Sequence, residues 1–154
     1  MIKQFNNGNI LLNFIACDDP IVPEGDDTPL VWAMVIVKKD DRYLLMHNIN
    51  RAQWECPGGG IEAGETVEEA AIREVMEETS QQAIDLKCQG IFKLYLKWLD
   101  RNEYGALYSG TFDELQPFII NSESDRITLW HPDEELDDRH SELGQWMIKY
   151  VESK

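Results

Sequence analysis

A chain of 154 residues with 43% hydrophobic content is long enough to bury one core, and residues 1–154 read as one domain. Its 14 basic against 29 acidic residues leave a formal charge of −15, which argues against a nucleic-acid polymer as partner, since a phosphate backbone needs a basic face. No apolar run reaches the length of a membrane span, and the first residues lack the apolar core and cleavage site of a secretory signal. Cys17, Cys56 and Cys88 are odd in number and lack metal-ligand spacing, so they read as reduced thiols of a cytoplasmic protein.

Along the chain, residues 1–29 divide into a strand, about Asn9–Ala16, and an acidic loop, Asp18–Pro29, with three prolines. Leu30–Lys38 (LVWAMVIVK) is a continuous β-rich apolar run, hence a buried strand, and Arg42–His47 returns after the turn Lys39-Asp40-Asp41. Asn48–Glu55 reads as a loop, and Trp54 leads into a glycine turn at Gly58-Gly59-Gly60. A helix follows, opened by Thr66 and Glu69 as a capping box, with Glu68 and Glu69 at the positive end of its dipole. Val67, Ala71, Ile72, Val75, Met76 and Thr79 form its packing face, distinct from an acidic stripe. Ile84–Leu99 and Tyr104–Phe112 read as antiparallel strands around Asp100-Arg101-Asn102, and Ile127–Trp130 as a short strand. Ser141–Val151 closes the chain as a helix, with Leu143, Trp146, Met147 and Tyr150 on one face. Strands in the middle with a helix on either side predict an α/β fold with a mixed sheet between helices.

The far end of the first helix departs from local electrostatics. Glu74, Glu77 and Glu78 stand at i, i+3 and i+4, so they share one stripe where they repel one another. Glu77 and Glu78 also fall in the last turn, where the dipole disfavours negative charge, and the terms together cost roughly 1 kcal/mol. Clustered hard oxygen ligands suit Mg²⁺, with Mn²⁺ as a substitute.

The spacing around these acids is specific. Gly59 is followed after five residues by Glu65, then after seven by Arg73-Glu74, and then by Glu77 and Glu78. Residues 59–81 thus resemble the Nudix box, G-x5-E-x7-R-E-U-x-E-E-x-G-U with U aliphatic, preceded by the usual Pro57-Gly58 lead-in. The box normally closes on glycine and an aliphatic residue; Ser80 and Gln81 stand there instead. The resemblance implies an α/β/α sandwich and metal-dependent hydrolysis of a nucleoside diphosphate linked to a further group. It implies Glu74 and Glu78 as direct metal ligands together with the Gly58 carbonyl, Glu77 as a ligand directly or through water, and an Arg73–Glu65 ion pair bracing helix against loop. The general base is implied to be a box glutamate, or an acid from a later loop such as Glu123.

The phosphorylated substrate meets a strongly acidic protein, so local cations matter; Arg51, Arg73, Lys93 and Lys97 are the nearest in sequence. Trp54-Glu55-Cys56-Pro57-Gly58-Gly59 resembles the W-E-F-P-G-G lead-in of MutT-type nucleoside triphosphate pyrophosphatases, with Cys56 in place of the aromatic. Arg51, as a local cation, and Trp54 and Gly59 of that lead-in are the candidate substrate contacts, and Trp54, Trp98 or Trp130 could stack on a base. ADP-ribose and dinucleoside polyphosphate pyrophosphatases stay open as alternatives, as does a catalytically silent nucleotide-binding domain of the same family. Monomer and homodimer are both compatible with the sequence.

Overall fold

The computed structural model describes residues 1–154. Its elements run β1 (Lys3–Gln4), β2 (Ile10–Ala16), β3 (Leu30–Lys39), β4 (Arg42–Asn48), β5 (Gln53–Glu55), β6 (Gly58–Gly60), α1 (Val67–Thr79) and β7 (Ile84–Leu96). They continue with β8 (Arg101–Thr111), β9 (Ser124–Trp130), β10 (Arg139–His140) and α2 (Glu142–Glu152). The strands pair in the order β1-β2-β7-β8-β3-β4-β5-β10, while β6 joins β3 and β9 joins β4 off that path. The sheet is mixed: β3 runs parallel to β8 and β5 to β10, and the other pairs are antiparallel.

The run of apolar residues in β3 is continuous because both of its faces are covered. Ala33, Val35 and Val37 join Ala71 and Val75 of α1 in one core cluster. Met34 and Ile36 join Met147 and Ile148 of α2 in the other. Alternation along one strand therefore builds the two interfaces of an α/β/α sandwich. β3 also forks: Lys38 and Lys39 pair with β4, whereas Trp32–Met34 pair with Gly60–Gly58 of β6. The glycine segment is thus a strand rather than a turn. A Cβ on Gly58 would lie 2.4 Å from the Ala33 carbonyl oxygen, so only glycine fits that approach.

Other boundaries differ for local reasons. Gln53–Glu55, expected within a loop, is a strand between β4 and the two residues of β10. The β7–β8 turn falls at Lys97–Asp100, because Asp100 accepts the left-handed conformation (φ 49°) and frees Arg101 to start β8. Ser124 extends β9 by three residues.

The entry of α1 is as the sequence predicts. Thr66 Oγ1 accepts from Glu69 N at 3.1 Å, and Glu69 Oε1 accepts from Thr66 N at 2.9 Å. Its exit uses the left-handed conformation despite the missing glycine: Ser80 has φ 64° and ψ 15°, and its N–H donates to Met76 O at 2.9 Å. A non-glycine residue there costs about 1 kcal/mol. The predicted separation of core and acidic stripes is corrected. Glu74 and Glu78 are buried with Ala70, Ala71, Val75 and Thr79, while Met76 is 41% exposed. The two glutamates turn toward β6, where glycines leave room, and not toward bulk water.

Candidate active site

Arg73 organises the approach to the acids. Its Nε and Nη2 donate to the two carboxylate oxygens of Glu65 at 2.9 and 2.7 Å, and Nη2 also reaches the Gly60 carbonyl at 2.8 Å. Nη1 donates to Glu74 at 2.8 Å and to Glu77 at 3.3 Å. One guanidinium therefore joins the loop before the helix, the glycine strand and two box glutamates, which its planar fork of donors allows. The pairing holds Glu65 well down, to about 2.

Three carboxylates converge beside this brace. Ligand oxygens of Glu74, Glu78 and Glu123 all lie within 4.8 Å of one another. Glu77, grouped with Glu74 and Glu78 on sequence, stays outside that cluster with a side chain 56% exposed. Its position one residue before Glu78 turns it roughly 100° away around the helix. Glu123, the later-loop acid, takes the third place.

Backbone glycines set the fit. A Cβ on Gly59 would lie 2.4 to 2.6 Å from the Glu74 carboxylate atoms, so Gly59 makes space for that carboxylate. Gly58 N–H donates to Glu78 Oε1 at 2.7 Å. The ladder bonds of β6 to β3 use Pro57, Gly59 and Ile61, which leaves both polar groups of Gly58 pointing to the other side.

Arg73 relieves the site only in part, through Glu74. Burial pushes Glu78 up to about 9, opposed by the Gly58 N–H and reinforced by Glu123 and Glu74. Burial also raises Glu74, against the pull of Arg73. Buried carboxylates at this spacing, with no basic residue in the last turn of α1, suit a divalent cation bound by hard oxygens.

On its open side the glycine strand borders a cavity of about 930 Å³. Phe5, Trp32, Leu94 and Leu96 line its apolar part, and Arg51, Gln53, Glu55, Arg139 and Glu142 its polar part. Trp98, 80% exposed, stands at its rim. Arg51 lines this cavity while its guanidinium is held in two bonds to Glu55, at 2.7 and 3.0 Å. Arg139, which the sequence reading missed, donates to Arg51 O at 2.8 Å and forms no ion pair. Only the pairing of β10 with β5 brings it here, and a two-residue strand leaves no periodic trace in sequence.

Trp54 is not a wall of this cavity. It is 4% exposed, its Nε1–H donates to Asp137 at 2.9 Å, and Arg126 lies 5.1 Å from its ring centroid. Its expected stacking role is corrected to a core role, because β5 turns the indole inward. Trp130 likewise packs against His140 and Tyr43. Lys93 pairs with Asp26 at 3.1 Å, away from the cavity lining.

Comparison with known proteins places these features in a family. The NUDIX domain model matches residues 27–152. The chain belongs to the Nudix hydrolase family. Among curated relatives, the RNA pyrophosphohydrolase of Pelagibacter ubique is 28% identical over 121 residues, covering 73% of this chain and 70% of that protein. The putative 8-oxo-dGTP diphosphatase YtkD of Bacillus subtilis is 37% identical over 92 residues, covering 60% and 53%. The uncharacterized Nudix hydrolase YvcI of the same organism is 37% identical over 62 residues, covering 40% and 39%, so the match spans about two fifths to a half of these two Bacillus proteins.

Among solved structures, the Bacillus subtilis pyrophosphohydrolase BsRppH superposes with a TM-score of 0.74 at 23% identity, covering 98% of this chain and 95% of that one. A Nudix hydrolase of Nitrosomonas europaea gives 0.72 at 23%, covering 82% and 90%. At these identities the likeness establishes the Nudix fold. No helix of this member is long and apolar enough to cross a membrane.

Proposed function

We propose that this chain is a divalent-metal-dependent pyrophosphohydrolase of nucleotide derivatives, and that its substrate is a nucleoside triphosphate cut to the monophosphate and pyrophosphate. The observation that carries the reading is the side-chain-free wall of β6. Gly58 and Gly59 touch the carboxylates of Glu78 and Glu74, and the same strand lines the neighbouring cavity. A triphosphate laid across the glycines would keep its base in the cavity and its phosphates beside the acids.

The residues divide the work. Glu74, Glu78 and Glu123, with the Gly58 carbonyl, are the set that would hold Mg²⁺ or Mn²⁺, and their hard oxygens fit either ion. The bound ion would neutralise phosphate oxygens and make a water molecule acidic. Arg139, which forms no ion pair, supplies positive charge on the cavity side beside the Arg51–Glu55 pair, where the phosphate chain would otherwise face a protein of charge −15. Glu78 is the first candidate to accept the proton of the attacking water and Glu123 the second; both need no side chain beyond those already clustered. Arg73 and Glu65 hold the helix and the glycine strand in register and do not need to touch substrate. The apolar wall of the cavity with Trp98 at its rim suits the flat face of a base.

A second reading rests on the relatives. The Pelagibacter protein, matched over 73% of this chain, is named for RNA pyrophosphohydrolysis, and a 5′-triphosphorylated RNA end presents the same triphosphate. The charge of −15 disfavours the trailing RNA strand. The experiment is product analysis with Mg²⁺ and Mn²⁺ across nucleoside triphosphates, ADP-ribose, a dinucleoside tetraphosphate and a short 5′-triphosphorylated RNA. Pyrophosphate release from free triphosphates is the expected result. Cleavage of ADP-ribose with idle triphosphates, or orthophosphate in place of pyrophosphate, would reject the substrate assignment. Absence of turnover on the whole panel would favour the silent binding domain.

A further inference from the structure

We propose that Ser80 and Gln81, the residues by which this chain departs from the usual end of the box, are positioning residues that hold Glu123 against Glu74 and Glu78. The proposal rests on the functional reading above, in which Glu123 completes the acidic cluster.

Glu123 ends a segment, residues 113–123, that contains no helix or strand. The segment buries little apolar surface: Phe118 is half-buried, while Leu115, Ile119 and Ile120 are 54%, 72% and 70% exposed. Its attachments are chiefly hydrogen bonds, and three of them end on Ser80 and Gln81. Gln81 is fully buried, and its amide grips the backbone of Gln116 from both sides. Gln81 Nε2 donates to Gln116 O at 2.9 Å, and Gln81 Oε1 accepts from Gln116 N at 2.7 Å. The second amide hydrogen goes to Thr79 O at 3.0 Å, so both donors are used. Ser80 Oγ accepts from Ile119 N at 3.1 Å.

The glycine and aliphatic residue that usually close the box could form none of these side-chain bonds. Serine is kept in the left-handed conformation where glycine would be relaxed, and a polar amide is kept where an apolar side chain would fill the core. Both local disadvantages disappear as a puzzle once the loop is counted as their partner.

The tether reaches Glu123 through a short chain of bonds. Two residues beyond Ile119, Asn121 Oδ1 accepts from Glu123 N and from Ser124 N, each at 2.9 Å. Ser124 Oγ then donates to Glu78 O at 2.5 Å, and Ile49 N donates to Glu123 O at 2.8 Å. The turn that presents Glu123 is therefore pinned on one side by Gln81 and Ser80, and on the other by the backbone of Glu78 and by β4's end. Helix exit and acid loop become one unit, and the spacing between Glu78 and Glu123 is set there.

The test uses Gln81→Met, which keeps volume without the hydrogen bonds, and Ser80→Gly/Gln81→Leu, which restores the usual box ending. Mn²⁺ affinity is read by calorimetry, kcat and KM with a nucleoside triphosphate, and folding by thermal melts. Both variants are expected to melt near the wild-type temperature, to bind Mn²⁺ about tenfold or more weakly, and to lose kcat with little change in KM. A folded Gln81→Met with wild-type Mn²⁺ affinity and kcat would overturn the proposal. Should the variants not fold, amide exchange in the wild-type protein decides: slow exchange at Gln116 and Ile119 supports the tether, and loop-like fast exchange overturns it. A wild-type protein with neither Mn²⁺ binding nor turnover fails the functional reading instead, and the exchange result still decides whether the loop is held.

Discussion

The two ends of α1 carry the same residue type under opposite conditions. At the N-terminus, Glu68 and Glu69 sit where the dipole favours them, and Thr66 and Glu69 satisfy each other's backbone groups. At the C-terminus, Glu74 and Glu78 are buried, the last turn has no basic residue, and a third acid comes in from another strand's lead-in loop. The first end follows what a helix needs in order to start. The second runs against it, and the one neighbouring guanidinium, Arg73, reaches Glu74 but makes no bond to Glu78. The glycines of β6 make that possible, by admitting carboxylates to a place that side chains would fill.

Substituting at the second end should have the largest effect. Glu78→Gln is expected to lower turnover by roughly a hundredfold or more while leaving the metal-free protein at least as stable, because a buried carboxylate is removed. Steady-state kinetics and a thermal melt check both halves; unchanged turnover would break the comparison. Next comes the glycine wall. Gly59→Ala puts a Cβ into the Glu74 carboxylate, whereas Gly60→Ala meets nothing within 4 Å. Mn²⁺ affinity should drop by about tenfold in the first variant and hold in the second.

The acidic end should also show in pH. Glu78 is pushed up to about 9 from an ordinary 4.5, so between these values the folded state keeps a proton that the unfolded state has lost. Stability of the metal-free protein should therefore fall as pH rises from about 5 to 9, with the loss smaller in Glu78→Gln and smaller again with Mg²⁺ bound. Melts across pH, with and without the ion at matched ionic strength, measure this. The smallest effect belongs to the conventional end: Thr66→Ala should cost about 1 kcal/mol of stability and leave kcat unchanged. Denaturant titration and kinetics on that variant sharpen the contrast.

Much of this was legible in the sequence where local rules decide. The capping box located the start of α1, the unbroken apolar run located β3, and the spacing of Gly59, Glu65, Arg73 and the glutamates identified the box. Burial was less legible. Helical periodicity sets the glutamates on a stripe apart from the core and Met76 on the packing face, whereas Glu74 and Glu78 are buried beside the open glycine strand and Met76 is partly exposed. The place of Glu123 in the carboxylate cluster depends on how β9 approaches α1, which no spacing records. Trp54 carried a stacking expectation because an aromatic beside a glycine segment suits a base, yet β5 turns it into the core. Ser80 and Gln81 registered only as a departure, since their partners Ile119 and Gln116 lie 39 and 35 residues away.

The most direct test of the central claim is a calorimetric Mn²⁺ titration of the wild-type protein beside Glu78→Gln and Glu68→Gln. One glutamate comes from each end of the same helix, and each variant exchanges one carboxyl group for an amide of the same size. The account predicts saturable binding in the wild type, binding retained in Glu68→Gln, and binding weakened by at least about tenfold in Glu78→Gln. Equal affinity in all three proteins, or no binding in the wild type, would contradict it.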